Sequence, residues 1–411
     1  MATPVANRPR ALRRRRVSFG TWVIGLGRLG KRRIIRVPLL PVENELPELS
    51  AFSTRLIAWQ KREGRHDLPW QQTRDPYRVW LSEIMLQQTQ VTTVIPYYQR
   101  FLASFPDLAA LAAAPIEAVI EHWAGLGYYA RGRNLHRCAQ QIVTVNAGIW
   151  PKSVEQLAEL PGIGRSTAAA IAAFAFGQRA AILDGNVKRV FCRHFAIDDF
   201  PAQAAVDRKL WALANDLLPD DDIEAYTQGL MDLGATLCTR SKPHCLRCPL
   251  AETCLARQQG RQAELPVAKV RVAVPERRST FVIISDGQRI LLERRPPSGI
   301  WGGLLVPPEG EAGTVLANLG LTLESAEALP PLRHAFTHFR LTLEPILCLV
   351  TKTSNAAETG MEWIDLAKAG KAGVPTPIRK LLISSCFQIE TRRQAEDSAI
   401  ARQGAVDKVS I

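Results

Sequence analysis

The chain has 411 residues, of which 46% are hydrophobic and 22% charged, and carries a formal net charge of +13. That length allows two or three domains, and no apolar run is long enough to cross a membrane, which excludes a helical membrane protein. The positive excess sits at one end: residues 1–42 hold eleven Arg and Lys and no acid, leaving +2 for the rest, so any DNA affinity of the folded part must come from local patches.

Residues 1–48, with Arg13, Arg14, Arg15 and Arg16 and then Lys31, Arg32, Arg33 and Arg36, read as a disordered basic arm. The same composition suits an organelle transit peptide or translation from an upstream start. Gly25, Gly27 and Gly30 formally match the GxGxxG dinucleotide fingerprint. That motif needs a strand before it and a helix after it; Arg/Lys crowding and Pro38 follow instead, so the match is rejected.

Residues 49–257 are helical in pattern throughout. Apolar residues recur at three and four, as in Phe52, Leu56 and Trp59 or Leu108 and Leu111. Pro69, Pro76, Pro96, Pro106, Pro115 and Pro151 recur as breakers. This predicts a compact all-α domain of short helices. Residues 258–278 are polar, basic and Pro-containing, as in a linker. The period then changes to two: residues 280–285 and 288–294 flank Asp286-Gly287, a hairpin signal. Residues 341–350 form another strand and residues 378–387 a closing helix. The last domain, residues 279–390, is therefore α+β, and 391–411 read as a disordered tail.

Within the helical domain, residues 160–189 hold a turn punctuated by Gly162 and Gly164, a run of small apolar residues, and the loop Asp184-Gly185-Asn186. The Ala-rich run favours a buried helix of about 12 residues. Bare glycine N–H groups at a helix N-terminus make a phosphate site. Asp184 falls at a helix start, where the dipole and Lys188 would keep it ionised. An ordinary αα-corner with an Asp N-cap has the same pattern.

Cys238, Cys245, Cys248 and Cys254 have six, two and five residues between them. Four thiolates so close together can share one centre, with Arg240 and Lys242 offsetting their charge. The asymmetric spacing, with Pro249 after the third Cys, favours a [4Fe–4S] cluster; zinc is the alternative. Glu83 has Trp80, Ile84 and Met85 around it, which would desolvate its carboxyl and raise its pKa, although a solvated Glu on an amphipathic helix reads alike. In residues 125–133, GLGYYARGR, aromatics beside Arg131 and Arg133 suit base stacking and phosphate pairing as well as core packing.

Together LPGIGRSTA, LDGNVKRV, SEIMLQQTQV, GLGYYARGRN and C-x6-C-x2-C-x5-C, in this order, resemble the helix-hairpin-helix DNA glycosylases and, among them, the adenine DNA glycosylases of the MutY type. The resemblance implies that Glu83 protonates adenine N7 and that Asp184 stabilises the oxocarbenium-like sugar, oriented by Asn186. It implies that Gln88 and Tyr128 wedge into the base stack as adenine flips out, and that Trp70 and Gln228 line the adenine pocket. Gly162 and Gly164, with Ser166 and Lys188, would contact DNA, and the four cysteines would hold one [4Fe–4S] cluster. Endonuclease III relatives carry the Schiff-base Lys where Ser166 stands; Ser cannot form an imine, so a monofunctional glycosylase is expected.

Residues 281–294, then Gly299-Ile300-Trp301-Gly302-Gly303 and Val306-Pro307, resemble a Nudix-type domain. Its metal-binding acidic helix is missing, so nucleotide hydrolysis is not expected. The resemblance makes this domain a reader of 8-oxoguanine, with Phe336, Thr337 and His338 in the lesion loop and Thr337 where Ser is common. The implied partner is double-stranded DNA with A:8-oxoguanine or A:G mispairs, bound by a monomer with no membrane association. The implied location is the nucleoid of a bacterium, or the nucleus or mitochondrion of a eukaryote. Two alternatives stand beside this expectation: an endonuclease III-like glycosylase/lyase for oxidised pyrimidines, and a catalytically silent DNA-binding protein, which would need Glu83 and Asp184 to lie apart.

Overall fold

The computed structural model describes residues 46–269, 273–296, 299–336, 338–351, 360–370 and 372–407, so Thr337 and residues 1–45, which hold all but the last three residues of the expected basic arm and its GxGxxG stretch, lie outside the described residues, while residues 46–48 already belong to the first helix. The first domain contains helices α1 (Leu46–Glu63), α2 (Pro76–Leu86), α3 (Val91–Ser104), α4 (Leu108–Ala113), α5 (Ile116–Trp123) and α6 (Ala130–Val145). It continues with α7 (Val154–Ala158), α8 (Arg165–Phe176), α9 (Gly185–His194), α10 (Ala204–Asp216) and α11 (Ile223–Asp232), and a short α12 (Leu255–Gln258) follows the cysteine loop. Polar caps start several of them where the sequence turns: Asp75 before α2, Asp107 before α4 and Ser153 before α7 each accept a first-turn N–H. Pro96 does not break the chain as expected. It sits inside α3, where a missing N–H removes one intrahelical bond and the flanking apolar residues Val94, Tyr98 and Phe101 keep the helix packed.

The alanines of α8 have a structural reason. Ala168, Ile171 and Ala172 pack into one core with α2, α3 and α6, whereas Ala169, Ala170 and Ala173 pack into a second with α1, α9 and α11. A helix buried on both sides is the common wall of two lobes, and methyl side chains let both approach it closely. α2 and α9, each on a different lobe, therefore face one another across a fixed spacer. The turn before α8 needs its glycine: Gly162 has φ +79°, and a Cβ there would lie 2.7 Å from Cβ of Asn134.

The second domain is a seven-stranded mixed sheet. Its strands are β1 (Glu276–Ser285), β2 (Arg289–Arg294), β3 (Leu305–Val306), β4 (Thr322–Ala328), β5 (Leu332–Ala335), β6 (Arg340–Thr351) and β7 (Met361–Asp365). β1 pairs antiparallel with β2 across the Asp286-Gly287 turn and parallel with β6. Residues alternate strictly. Phe281 and Ile283 pack with helices α14 (Leu366–Ala369) and α15 (Thr376–Asp407), and Val282 and Ile284 pack beneath α13 (Ala312–Asn318). The predicted strand and hairpin are thus present.

Two boundaries differ from the sequence reading. The helix α15 continues to Asp407 instead of ending near residue 390, because residues 391–407 contain no Pro and include four Ala, three Arg and two Gln, all good helix formers. The first half of the expected linker belongs to the helical domain: Leu265 is buried and its carbonyl accepts the Arg193 Nε–H at 2.8 Å.

Candidate active site

A cleft of about 1500 Å³ opens between the two lobes, lined by Glu83 from α2, Asp184 and Asn186 at the start of α9, Ser166 from α8, and Trp70 and Gln228. Residues distant in sequence and suited to acid–base chemistry and base binding thus share one concavity.

Glu83 leaves the buried face of α2, beside Trp80, Ile84 and Met85, none of which is exposed. Its side chain is half-buried and reaches the cleft. Burial, and then the negative charge of Asp184, push its pKa up to about 8. At neutral pH this carboxyl keeps its proton.

Asp184 is the N-cap of α9, as the sequence predicted, and its Oδ1 accepts the Val187 N–H at 2.8 Å. Desolvation raises its pKa, opposed by the backbone N–H groups of Val187 and Asn186 and by the charges of Arg189 and Lys188. The net direction is upward, so the helix start and Lys188 do not dominate as expected. The reason is burial, which outweighs both the amides of the helix start and the nearby Arg189 and Lys188 charges; Lys188 is itself paired, with its Nζ 2.5 Å from Asp207 Oδ1. Asn186 touches Asp184 through its backbone; its side-chain oxygen accepts from Arg189 at 2.9 Å, and its Cβ lies 2.7 Å from where a Cβ on Gly234 would stand. Gly234 is therefore what lets this loop approach the π-helical turn Leu233–Leu237. Ser166 Oγ accepts the Leu183 N–H at 2.9 Å, tying α8 to the residue before Asp184.

At the cleft wall Trp70 is buried and edge-on to Tyr98, with ring centroids 5.5 Å apart. Gln228 donates its Nε2–H to Asp232 Oδ1 at 2.8 Å. Asp232, almost wholly buried, also accepts from Arg65, at 2.8 Å from its backbone N and 2.7 Å from Nε. A carboxylate only accepts, so the Gln228 amide nitrogen must face it and Oε1 remains as the acceptor of this cleft-lining side chain. Sequence reasoning missed Asp232 and Arg65; nothing local marks a pair 167 residues apart.

Gln88 and Tyr128 are exposed, on the loops after α2 and before α6. Arg131 and Arg133, expected near phosphate, are used internally. Arg131 is buried, and Arg133 donates to the Gly302 carbonyl of the second domain at 2.8 Å. α8 starts at exposed Gly164 without a side-chain cap, so its first-turn amides retain their donors for an anion.

Cys238, Cys245, Cys248 and Cys254 all line one small cavity against α9. Among the described residues no three His, Cys, Asp or Glu side chains are set to hold a single metal ion. The donor set nonetheless fits a thiolate-bound group. Leu233, Leu237 and Leu250 supply apolar walls, and Arg193 Nη1 donates toward Cys238 Sγ at 3.4 Å. Arg193 takes the part expected of Arg240 and Lys242, whose side chains are exposed.

In the second domain Phe336 stacks on Phe339, with centroids 4.5 Å apart, and meets His334 edge-on at 4.6 Å. His338 is exposed beside it.

Residues 81–216 match the HhH-GPD superfamily of base excision DNA repair proteins, and residues 279–384 match the NUDIX domain. The chain is 34% identical over 337 residues to the adenine DNA glycosylase of Buchnera aphidicola subsp. Acyrthosiphon pisum, covering 80% of this chain and 96% of the relative. It is 34% identical over 406 residues to the adenine DNA glycosylase of Homo sapiens, covering 82% and 74%. A thermostable thymine-DNA glycosylase structure aligns at 28% identity with a TM-score of 0.48, covering 52% of this chain and 98% of that one.

Proposed function

The chain belongs to the adenine DNA glycosylases, base excision repair enzymes of the helix-hairpin-helix superfamily, and we propose that it removes adenine mispaired with 8-oxoguanine or guanine by hydrolysing the N-glycosidic bond. The observation that carries this reading is the cleft shared by Glu83 and Asp184, in which burial and the Asp184 charge favour the protonated form of Glu83. A silent DNA binder would not need these two carboxyls side by side.

Glu83, protonated at neutral pH, donates its proton to N7 of the extruded adenine. The glycosidic electron pair then leaves with the base, and the sugar becomes oxocarbenium-like. Asp184 faces that developing positive charge with backbone amides holding its carboxylate in place. Water completes the hydrolysis, its proton returning to Glu83. The Gln228 Oε1 acceptor suits the exocyclic amine of adenine, and Trp70 supplies an apolar wall. Gln88 and Tyr128 enter the stack where the base has left, and the amides at Gly162 and Gly164 hold phosphate.

Ser166 supports a monofunctional reaction. Its hydroxyl is occupied by the Leu183 N–H, and it offers no amine to the sugar. The second domain, through Phe336, Thr337 and His338, reads the 8-oxoguanine opposite. Cys238, Cys245, Cys248 and Cys254 would hold one [4Fe–4S] cluster, whose chemistry would be structural, tying the cysteine loop to α9. Iron and sulfide in the purified protein would support the cluster; zinc would replace it.

Incubating the protein with a duplex carrying A opposite 8-oxoguanine tests the reaction class. Abasic product cleaved only after alkali is expected. Strand breaks without alkali would favour the lyase, and an intact strand after alkali would favour the silent binder.

A further inference from the structure

Among the described residues six non-glycine residues have positive φ, and two of them, Gln88 (+56°) and Tyr128 (+49°), are the side chains assigned above to the base stack. Neither is Asn or Asp, so neither adopts this backbone readily. Such conformations persist where the surroundings over-determine them, and here the surroundings converge on a single side chain.

Arg131, in the first turn of α6, is only 9% exposed. Its Nη1 donates to the carbonyls of Ile84, Met85 and Gln87 at 2.9, 2.8 and 2.6 Å. These lie at the C-terminal end of α2, where carbonyls lack helical partners and a cation is favoured. Its Nη2 donates to Thr89 Oγ1 at 3.1 Å and to the carbonyls of Leu126 and Gly127 at 3.3 and 3.2 Å. One guanidinium therefore holds the residue before Gln88, the residue after it, and the two residues before Tyr128. It also lies 5.6 Å from the Tyr128 ring centroid.

We infer that Arg131 is a positioning residue that locks Gln88 and Tyr128, on two separate loops, into one rigid two-pronged wedge, so that both enter the duplex together when the base is extruded. This rests on the proposed role of Gln88 and Tyr128. A guanidinium is required because its planar fork reaches acceptors on both loops at once; a Lys ammonium is a point charge with three donors and cannot span them. The Arg131 guanidinium hydrogen-bonds the end of α2 and the two loops and not the Glu83 carboxyl, so its action is on the extrusion step.

The test uses the full-length protein with Arg131→Lys and Arg131→Met, each checked by thermal melting. Single-turnover adenine excision is compared on a paired duplex with A opposite 8-oxoguanine and on the same duplex with the adenine inside a three-nucleotide mismatched bubble, where unstacking is already complete. Arg131→Lys is expected to slow excision on the paired duplex about tenfold and on the bubble less than about threefold. Equal slowing on both substrates would mean a merely structural role and would overturn the proposal, as would an unchanged rate on the paired duplex. If Arg131→Met does not fold, Arg131→Lys carries the test. Gln88→Ala and Tyr128→Ala, run alongside, separate the two levels. If they slow the paired duplex selectively and Arg131→Lys does not, the clamp alone fails; if they have no effect, the wedge role and the clamp fail together.

Discussion

The carboxylate of Asp184 raises the pKa of Glu83, although one caps α9 and the other leaves α2 on the opposite lobe. The common wall α8 fixes both lobes, so this repulsion is built into the fold. Together with burial it helps keep the Glu83 carboxyl protonated at neutral pH, as acid-assisted loss of a base requires.

Asp184→Asn is expected to reduce excision by roughly 10²–10³-fold or more while leaving duplex binding and folding intact. Asn caps a helix as well as Asp does, so the variant separates charge from structure. Gel-shift and thermal melting report the two controls. Retained turnover would refute the electrostatic role.

Glu83→Gln is expected to stabilise the fold. In the native state Glu83 holds its proton up to about pH 8, against an ordinary value of 4.5. Between those values the folded chain binds more protons than the unfolded one, so stability falls as pH rises through this window. The neutral amide removes that loss. Melting at pH 8.5 is expected to show a gain on the order of 1–2 kcal/mol, less than the full linkage value because cleft water screens the group. No gain is expected at pH 4.

Asp232→Asn is expected to loosen base selection. An Asn side chain can donate as well as accept, so the Gln228 amide is no longer held with its oxygen available. The ratio of adenine to hypoxanthine excision is expected to fall about tenfold, roughly 1.4 kcal/mol. The stability of the variant is also expected to drop, because the Arg65–Asp232 pair, with Asp232 side-chain exposure of 1%, loses its anion.

Phe336→Ala removes the stack on Phe339. The rate on A:8-oxoguanine is expected to fall several-fold more than the rate on A:G, measured under single-turnover conditions. An equal fall on both substrates would remove the second domain from lesion reading.

Legibility followed the range of the interactions. The α8 run, the Asp184 N-cap and the Asp286-Gly287 hairpin depend on residues within one or two turns, so local pattern revealed them. The desolvation of Glu83 was legible in its apolar neighbours, and the charge that completes the shift in the motif order. Arg131, Arg193 and the Arg65–Asp232–Gln228 network were not legible. The partners that reveal them are distant: Arg131 reaches 42–47 residues back to the end of α2, Arg193 reaches 45–72 residues on, and Arg65 lies 167 residues from Asp232, and in the sequence a buried clamp arginine looks the same as a phosphate-binding one. The full extent of α15 is not legible because its charged second half lacks the apolar period that marks a packed helix.

The pH dependence of single-turnover adenine excision, taken for the unsubstituted protein and for Glu83→Gln, tests the acid role of Glu83 most directly. The rate is expected to be flat below neutrality and to fall tenfold per pH unit above about 8, where Glu83 loses its proton, and Glu83→Gln is expected to lose at least about 10²-fold. A profile that stays flat through pH 9, with Glu83→Gln within a few-fold of the unsubstituted protein, would contradict the assignment and require another acid to protonate the base.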